Sequence, residues 1–140
     1  MGFPRSPDFE VQADVSNGVA RFAPTGELDM LTAPALQEHL DRAINEGIQA
    51  ALLDLGGLTF MDANGVHLLF EASDRAQQNG EMFAVVGVGG QVRKVLELTN
   101  TVDLIDEGAG VELIRRFTQS DATAARTPPV VGHFGSGAFP

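Results

Sequence analysis

The chain has 140 residues, a formal net charge of −10 and no cysteine. With only nine lysines and arginines it lacks the basic clusters that bind a phosphate backbone, so a nucleic-acid partner is not expected. The absence of cysteine removes disulfides, thiolate catalysis and thiolate metal sites. No apolar run approaches the roughly 18–20 residues that cross a bilayer, and the first residues lack the apolar core of a signal peptide. We therefore expect a cytoplasmic protein without direct membrane insertion.

The length and composition are typical of one globular domain. Hydrophobic residues make up 44% of the chain and charged residues 20%. Residues 1–8 carry two prolines and are predicted to form a flexible lead-in. From residue 121 onward no helix or strand period is present, and prolines and glycines are frequent, so 121–140 are predicted to form a flexible tail. The domain itself should span residues 9–120.

The first half of the domain predicts a hairpin followed by a helix. In chain order, the predicted elements are a strand from Phe9 to Val15, a turn at Asn17-Gly18, a return strand Val19–Ala23, a loop at 25–29 and a helix Ala33–Asn45. The first strand is inferred from alternating apolar residues, and the Asn-Gly pair suits positive φ. Thr32 stands where the helix N-cap belongs.

The second half alternates strands and helices. Its predicted elements are a strand Gln49–Leu55, a turn ending at Asp62, a helix to Gln78, a strand Met82–Val88, a helix Gln91–Leu98, a weak strand Val102–Ile105 and a helix Val111–Gln119. The helix after Asp62 is predicted to turn inward Val66, Leu69, Phe70, Ser73 and Ala76. This order predicts an α/β fold with a mixed sheet, whose right-handed crossovers place the helices mainly on one face.

The connection from Leu58 to Gly65 carries the most information about function. It leads from an apolar strand into an amphipathic helix, and Asp62 occupies the position of a helix N-cap. Such a turn presents unpaired amide hydrogens and the positive end of the helix dipole. It therefore suits an acidic partner group, or a phosphate carried on the turn itself. No hydroxyl side chain follows directly after Asp62, because residues 63 and 64 are alanine and asparagine.

Sequence patterns for catalysis and metal binding are missing, so we expect no enzymatic activity, no metal and no cofactor. No Gly-x-Ser-x-Gly motif is present. His39, His67 and His133 lie in different segments without the spacing of metal ligands. The run Gly87–Gly90 follows a strand and opens a helix, but it matches neither the dinucleotide-binding nor the Walker pattern. A tight strand-to-helix turn is the better interpretation of that run.

Asp29 and Asp62 both end predicted strand-to-helix connections. In an α/β fold such connections meet at one edge of the sheet, where functional groups usually lie. Each aspartate taken alone is most simply a helix cap. Together with Glu27 the two could also form an acidic patch for a basic partner, and the spacing does not choose between these interpretations.

Two motifs resemble those of STAS domains, specifically the bacterial anti-sigma-factor antagonists. The motifs are Gly26-Glu27-Leu28-Asp29 with the following Thr32-Ala33-Pro34-Ala35-Leu36, and Leu53-Asp54-Leu55-Gly56-Gly57-Leu58-Thr59-Phe60-Met61-Asp62. The resemblance runs from about Phe9 to Gln119. It implies a STAS-like single domain that binds an anti-sigma factor, usually a serine kinase of the GHKL type, and so releases a sigma factor for transcription.

The same resemblance implies where the partner binds. In this family the kinase phosphorylates a serine, sometimes a threonine, directly after the aspartate, and this breaks the complex. Here that position is Ala63, which cannot accept a phosphate, so binding is expected to be independent of phosphorylation there. The resemblance assigns to the partner-facing edge Asp29, Met61, Asp62, Ala63, Asn64 and Gly65.

Two other functions stay open at this point. The missing acceptor and the small domain also fit a STAS subunit of a larger assembly, such as a lipid-transport ATPase complex or a stress-signalling scaffold. A small-molecule or nucleotide sensor would use the turn at Gly87–Gly90. The sequence does not predict the oligomeric state.

Overall fold

The computed structural model describes residues 9–119, so the predicted lead-in 1–8 and tail 121–140 lie outside the described part of the chain. The elements in chain order are β1 (Glu10–Ser16), β2 (Val19–Leu28), α1 (Ala33–Asn45), β3 (Ala50–Asp54), β4 (Leu58–Met61), α2 (Ala63–Gln78), β5 (Met82–Val86), α3 (Gly90–Leu98), a short 3-10 helix (Val102–Leu104) and α4 (Glu107–Thr118). None of the helices within residues 9–119 has the length and apolar character needed to cross a membrane.

The strands form a mixed sheet in the order β1-β2-β3-β5, and β4 pairs with β2 outside this path. β1 and β2 form an antiparallel hairpin, whose turn residues Asn17 and Gly18 adopt φ values of 53° and 79°. Positive φ at both positions is what a two-residue hairpin turn requires. The pairs β2–β3, β3–β5 and β2–β4 are parallel. The predicted α/β fold with an N-terminal hairpin and a mixed sheet is thus confirmed.

β2 is longer than predicted, and β4 was not predicted at all. The first half of β2 pairs with β3 at Val19–Phe22, and its far end pairs with β4 at Gly26–Leu28. The predicted loop at 25–29 and the predicted turn over Leu58–Met61 were therefore wrong for these residues. Each segment is too short to show a strand period alone. They become strands because they pair with each other across a wide sequence separation.

Apolar side chains are buried on both faces of the sheet. Leu53 and Val85 belong to the larger core cluster, which also contains buried residues of α1, α2 and α3. Their chain neighbours Leu52 and Ala84 point to the opposite face, where they pack with Leu113 of α4. The prediction that the helices lie mainly on one face is confirmed, and α4 is the exception. α4 is needed there because parallel strands with apolar residues on both faces must be covered on both.

The segment after α3 differs from the prediction in two ways. Val102–Leu104 forms a 3-10 helix instead of the weak strand predicted for Val102–Ile105. α4 begins at Glu107, earlier than predicted, because the carboxylate of Asp106 accepts a hydrogen bond from the Ala109 amide at 3.0 Å. An aspartate N-cap of this kind satisfies one of the unpaired amides of the first turn.

The buried face of α2 also differs from the prediction. Phe70 was predicted to point inward, but 55% of its side chain is exposed, and Ser73 is only half-buried. Leu68 and Ala72 are buried in their place. The spacing of apolar residues along α2 fits either orientation, and packing against α1 and the sheet selects the one observed.

Truncation of Leu113, the buried residue that packs α4 against the sheet, should destabilise the domain. We expect Leu113→Ala to lower the free energy of unfolding by about 2–5 kcal/mol, because Leu113 is fully buried and its truncation leaves a cavity. The neighbouring Ile114 is 42% exposed, so Ile114→Ala should change stability by no more than about 1 kcal/mol. Urea unfolding of both variants is the measurement. Equal effects would show that α4 does not cover the second face as described.

Candidate functional site

The connections from β2 to α1 and from β4 to α2 lie side by side, because β2 and β4 end next to each other. Leu28, the last residue of β2, is the register partner of Met61, the last residue of β4. The amide of Asp62 donates to the carbonyl oxygen of Leu28 at 3.2 Å. Asp29 and Asp62 each follow one member of this pair, so the prediction that they share one edge of the sheet is confirmed. We call the surface formed by Asp29–Leu31 and Asp62–Asn64 the strand-end surface.

Asp62 caps α2 as its sequence position predicted. Its backbone is extended, and its Oδ1 accepts hydrogen bonds from the amides of Asn64 at 2.8 Å and Gly65 at 3.4 Å. The Asn64 side-chain amide donates to the Oδ2 atom at 3.3 Å. Ala63 and Asn64 are both exposed. The first turn of α2 thus presents a small neutral residue to solvent, beside a carboxylate already occupied by amide donors.

The turn between β2 and α1 is held by internal hydrogen bonds. Asp29 Oδ1 accepts from the amides of Leu31 at 2.9 Å and Thr32 at 3.1 Å. The buried hydroxyl of Thr32 donates to the Glu27 carbonyl at 2.6 Å and accepts from the Asp29 amide at 2.9 Å. Thr32 occupies the predicted N-cap position, but its side chain bonds back to β2 and does not cap α1. The turn is therefore rigid without any partner.

Three exposed apolar side chains at this end of the sheet were not predicted from the sequence. Met30 is 67% exposed and Leu31 59% exposed on the rigid turn, and Phe60 in β4 is 37% exposed. Large apolar side chains displayed on an ordered surface are typical of protein-binding sites. The available signal was an apolar Met-Leu pair inside a connection that otherwise consists of polar residues.

Two of the predicted partner-facing residues lie beneath the surface. Met61 is fully buried and Gly65 is buried at the third position of α2. A Cβ atom added to Gly65 would overlap Cγ of Met61 and lie 3.1 Å from Cδ2 of Leu28. Both residues therefore shape the site by letting α2 approach the strand ends closely. Asp29, Asp62, Ala63 and Asn64 remain as the predicted residues with accessible surface.

Gln91 at the start of α3 also joins the site and was missed in the sequence. Its Oε1 accepts from the Met61 amide at 2.9 Å, and its Nε2 donates to the Met61 carbonyl at 3.2 Å. The preceding turn has positive φ at Gly87 (71°) and Gly90 (54°), as a tight strand-to-helix turn requires. A glutamine in such a position has no distinguishing sequence pattern, because its partner lies 30 residues away.

The two histidines within residues 9–119 lie on different helices. His67 is largely exposed and pairs with Glu71 at 3.1 Å one turn along α2. His39 is half-buried in α1, and burial, assisted by Arg42, lowers its pKa from the ordinary value. His133 lies outside the described residues. Within residues 9–119 no group of three or more acidic or histidine side chains is placed to hold a metal ion.

A small cavity lies at the other end of the sheet from the strand-end surface. It has a volume of about 30 Å³ and is lined by residues of α1, α2 and the starts of β3 and β5, among them Ile44, Ile48 and Phe83. A space of that size holds about two water molecules. Gly87–Gly90 do not line it, so the cavity does not support a nucleotide site at that turn.

Residues 10–118 match the family described as STAS domain. The chain belongs to the STAS domain family. The match spans the sheet, all the helices named above and the strand-end surface, so the family resemblance read from the two motifs is confirmed.

Relatives and solved structures agree with this assignment. The anti-sigma-B factor antagonist of Staphylococcus aureus (strain NCTC 8325 / PS 47) is 28% identical over 88 residues, which are 63% of this chain and 82% of the relative. An anti-sigma factor antagonist from Mycobacterium paratuberculosis has a TM-score of 0.67 at 23% identity, covering 79% of this chain and 97% of that one. At that level of identity the likeness shows the fold.

A third comparison is with the anti-sigma factor antagonist SpoIIAA, solved in two chemical forms. The unphosphorylated form has a TM-score of 0.62 at 19% identity and covers 79% of this chain and 99% of that one. The phosphorylated form, from Bacillus, has a TM-score of 0.57 at 19% identity and covers 76% and 99%. Both forms share the STAS fold of this chain.

The close approach of α2 to the strand ends should depend on the missing side chain of residue 65. We expect Gly65→Ala to destabilise the domain by about 1–3 kcal/mol, because the new methyl group overlaps Met61. Gly108→Ala in the first turn of α4 is the matched control, since its methyl group would meet Asp106 Oδ1 at an ordinary 3.5 Å. That variant should gain about 0.4–1 kcal/mol through reduced freedom of the unfolded chain. Denaturant unfolding measures both, and a gain for both would contradict the packing described.

Proposed function

We propose that this STAS domain is an anti-sigma factor antagonist that binds an anti-sigma factor through the strand-end surface and so releases a sigma factor. The observation that carries the proposal is the Asp62-capped start of α2, which exposes the neutral Ala63 beside the rigid Asp29 turn. Support also comes from the names of the relatives, which are anti-sigma factor antagonists. An antagonist of this kind would act as a binding protein, without catalysis, in the cytoplasm.

The chemistry of the strand-end surface suits a protein partner. Met30 and Leu31 offer apolar area on a turn that is already ordered, so little conformational entropy is lost when they are covered. Glu27 is exposed nearby at the end of β2, and the whole chain carries a charge of −10. A partner with basic residues would be attracted by the acidic charge, and an apolar pocket on it would then bind Met30 and Leu31. A kinase-like anti-sigma factor is the partner class we infer.

Residue 63 decides how such binding would be regulated. SpoIIAA exists in an unphosphorylated and a phosphorylated form, whereas the side chain of Ala63 is a methyl group and cannot carry phosphate. The nearest hydroxyl groups in the chain do not replace it. Thr59 lies within β4 and donates to the Gly26 carbonyl at 3.2 Å, and Ser73 is half-buried further along α2. We therefore infer that binding is constitutive with respect to phosphorylation at residue 63.

A charge at residue 63 should abolish binding. We expect Ala63→Glu to weaken capture of the partner at least about tenfold, because an unpaired carboxylate in a docked surface costs more than the 1.4 kcal/mol that a tenfold change requires. Folding should be unaffected, since an acidic residue is favourable in the first turn of a helix. The measurement is affinity capture from the native cytosol with wild-type and variant protein, followed by mass spectrometry of the retained proteins.

Gln77→Glu is the matched control for this experiment. It adds the same charge to the exposed C-terminal part of the same helix and should capture the partner as the wild type does. Recovery of a sigma-regulatory protein by the wild type and the control, and not by Ala63→Glu, supports the proposal. Equal capture by all three proteins would exclude the strand-end surface, and recovery of a membrane ATPase would replace the proposal with the larger-assembly alternative.

A hydroxyl at residue 63 should restore the missing switch. We expect Ala63→Ser to gain one phosphate per chain when incubated with the captured kinase-like partner and ATP, because the serine would stand exposed at the start of α2. The wild-type protein should gain none. Intact mass measures both. Stoichiometric phosphate on the wild type would contradict constitutive binding, and an unmodified Ala63→Ser would argue against a kinase partner.

A further inference from the structure

β4 is an edge strand, bonded to another strand on one side only. Within residues 9–119, β4 pairs with the far end of β2 and with no other strand. Its amide and carbonyl groups point alternately toward and away from β2. The Asp62 amide points toward β2 and donates to Leu28. Met61, one residue earlier, points its amide and its carbonyl to the opposite side, where a neighbouring strand would otherwise be needed.

The side chain of Gln91 takes the place of that missing strand. Its carboxamide accepts from the Met61 amide at 2.9 Å and donates to the Met61 carbonyl at 3.2 Å. A carboxamide has an acceptor oxygen and a donor NH₂ group side by side in one plane, so it can satisfy both backbone groups of a single residue. Backbone groups left unpaired beside a core would carry a desolvation cost.

Gln91 is exposed, but the helix that carries it is anchored in the core. It is the second residue of α3, and the next residue, Val92, is 2% exposed and Leu96 is fully buried in the larger core cluster. The chain passes from β5 to α3 through the tight turn at Gly87–Gly90, which brings Gln91 next to the end of β4. The backbone position of Gln91 is thus set by α3 packing, and its carboxamide is oriented by the two hydrogen bonds to Met61.

The two hydrogen bonds act at the base of the strand-end surface. Met61 is the last residue of β4, and Asp62 and Ala63 follow it without a spacer. The Met61–Asp62 peptide is held by Leu28 on one side and by Gln91 on the other. These hydrogen bonds therefore fix the position of the exposed start of α2, because α2 begins directly at residue 63.

We propose that Gln91 is a positioning residue for partner binding: its carboxamide stands in for a neighbouring strand, fixes Met61, and so sets the geometry with which Asp62–Asn64 meet an anti-sigma factor. The inference rests on the proposed function and deepens it. It also assigns α3 a role, since a displacement of α3 would reach the strand-end surface through this side chain as well as through the packing of α3 on β4. Preorganised surfaces bind more tightly because less order must be gained on binding.

The test uses two substitutions that retain the length of the side chain. Gln91→Met keeps the stem and the helix propensity but removes both hydrogen bonds. Gln91→Glu keeps an acceptor for the Met61 amide and loses the donor to the Met61 carbonyl. Gln78→Ala is the control, because Gln78 is an exposed glutamine whose amide bonds only to Asp74 on its own helix. The full-length protein is used throughout.

Two quantities are measured for each variant: affinity for the purified anti-sigma factor recovered by the wild-type protein, and hydrogen exchange of the Met61 amide. We expect Gln91→Met to weaken binding about tenfold, because a binding geometry that is no longer fixed would be populated in only about a tenth of the molecules. The Met61 amide should exchange faster in Gln91→Met, whereas amides in β3 keep their protection. Gln91→Glu should protect the Met61 amide better than Gln91→Met, because it keeps the acceptor, and Gln78→Ala should match the wild type in both measurements.

The outcomes separate this inference from the proposed function. An unchanged Met61 exchange rate in Gln91→Met would show that Gln91 does not fix Met61, which overturns the inference. Weaker binding without faster exchange would mean that Gln91 touches the partner directly, which also overturns it. Faster exchange with unchanged affinity would show that Gln91 fixes Met61 without any effect on partner binding, and this too overturns the inference. If the wild type binds no anti-sigma factor, the proposed function fails, and the role of Gln91 in binding fails with it.

Discussion

The parallel pairing of Leu28 with Met61 is the contact on which the rest of the site depends. It joins the far end of β2 to the short strand β4, and the Asp62 amide extends the pairing by one hydrogen bond. Two connections that are distant in the chain are thereby placed side by side, each entering a helix. Without this pairing the start of α2 and the turn before α1 would be independent loops, and no common surface would exist.

The surface above this contact is ordered before any partner arrives. Asp29 and Thr32 fix the turn before α1 by hydrogen bonds among themselves and to Glu27, and Asp62 caps α2. Beneath it, Gly65 permits the close approach of α2, and Met61 fills the space below. The result is a rigid platform that combines exposed apolar residues, acidic groups and the neutral methyl group of Ala63. A platform with these properties is suited to binding another protein, and a charge added to it would be poorly tolerated by a docked partner.

Most of the local elements were predictable because local signals determine them. The hairpin follows from apolar alternation and an Asn-Gly turn, and α2 follows from its aspartate cap and helical spacing. The two motifs around Asp29 and Asp62 identified the family and the edge of the sheet. The predictions were wrong where contacts between distant segments determine the structure. β4 and the end of β2 have no strand period of their own, and Phe70 lies at the margin of an apolar stripe whose orientation is chosen by α1 and the sheet.

The sequence by itself determined the fold class, the capped start of α2 and the absence of a phosphate acceptor at residue 63, because each depends on residue identity and short-range spacing. The tertiary structure alone decided which of the predicted site residues reach the surface. Met61 and Gly65 are buried, whereas Met30 and Leu31 are displayed, since burial depends on contacts between distant segments. It also revealed Gln91, whose role arises from a carboxamide meeting a strand edge 30 residues earlier in the chain. No local sequence pattern predicts these hydrogen bonds, because they form only once β4 and α3 have packed on the same core.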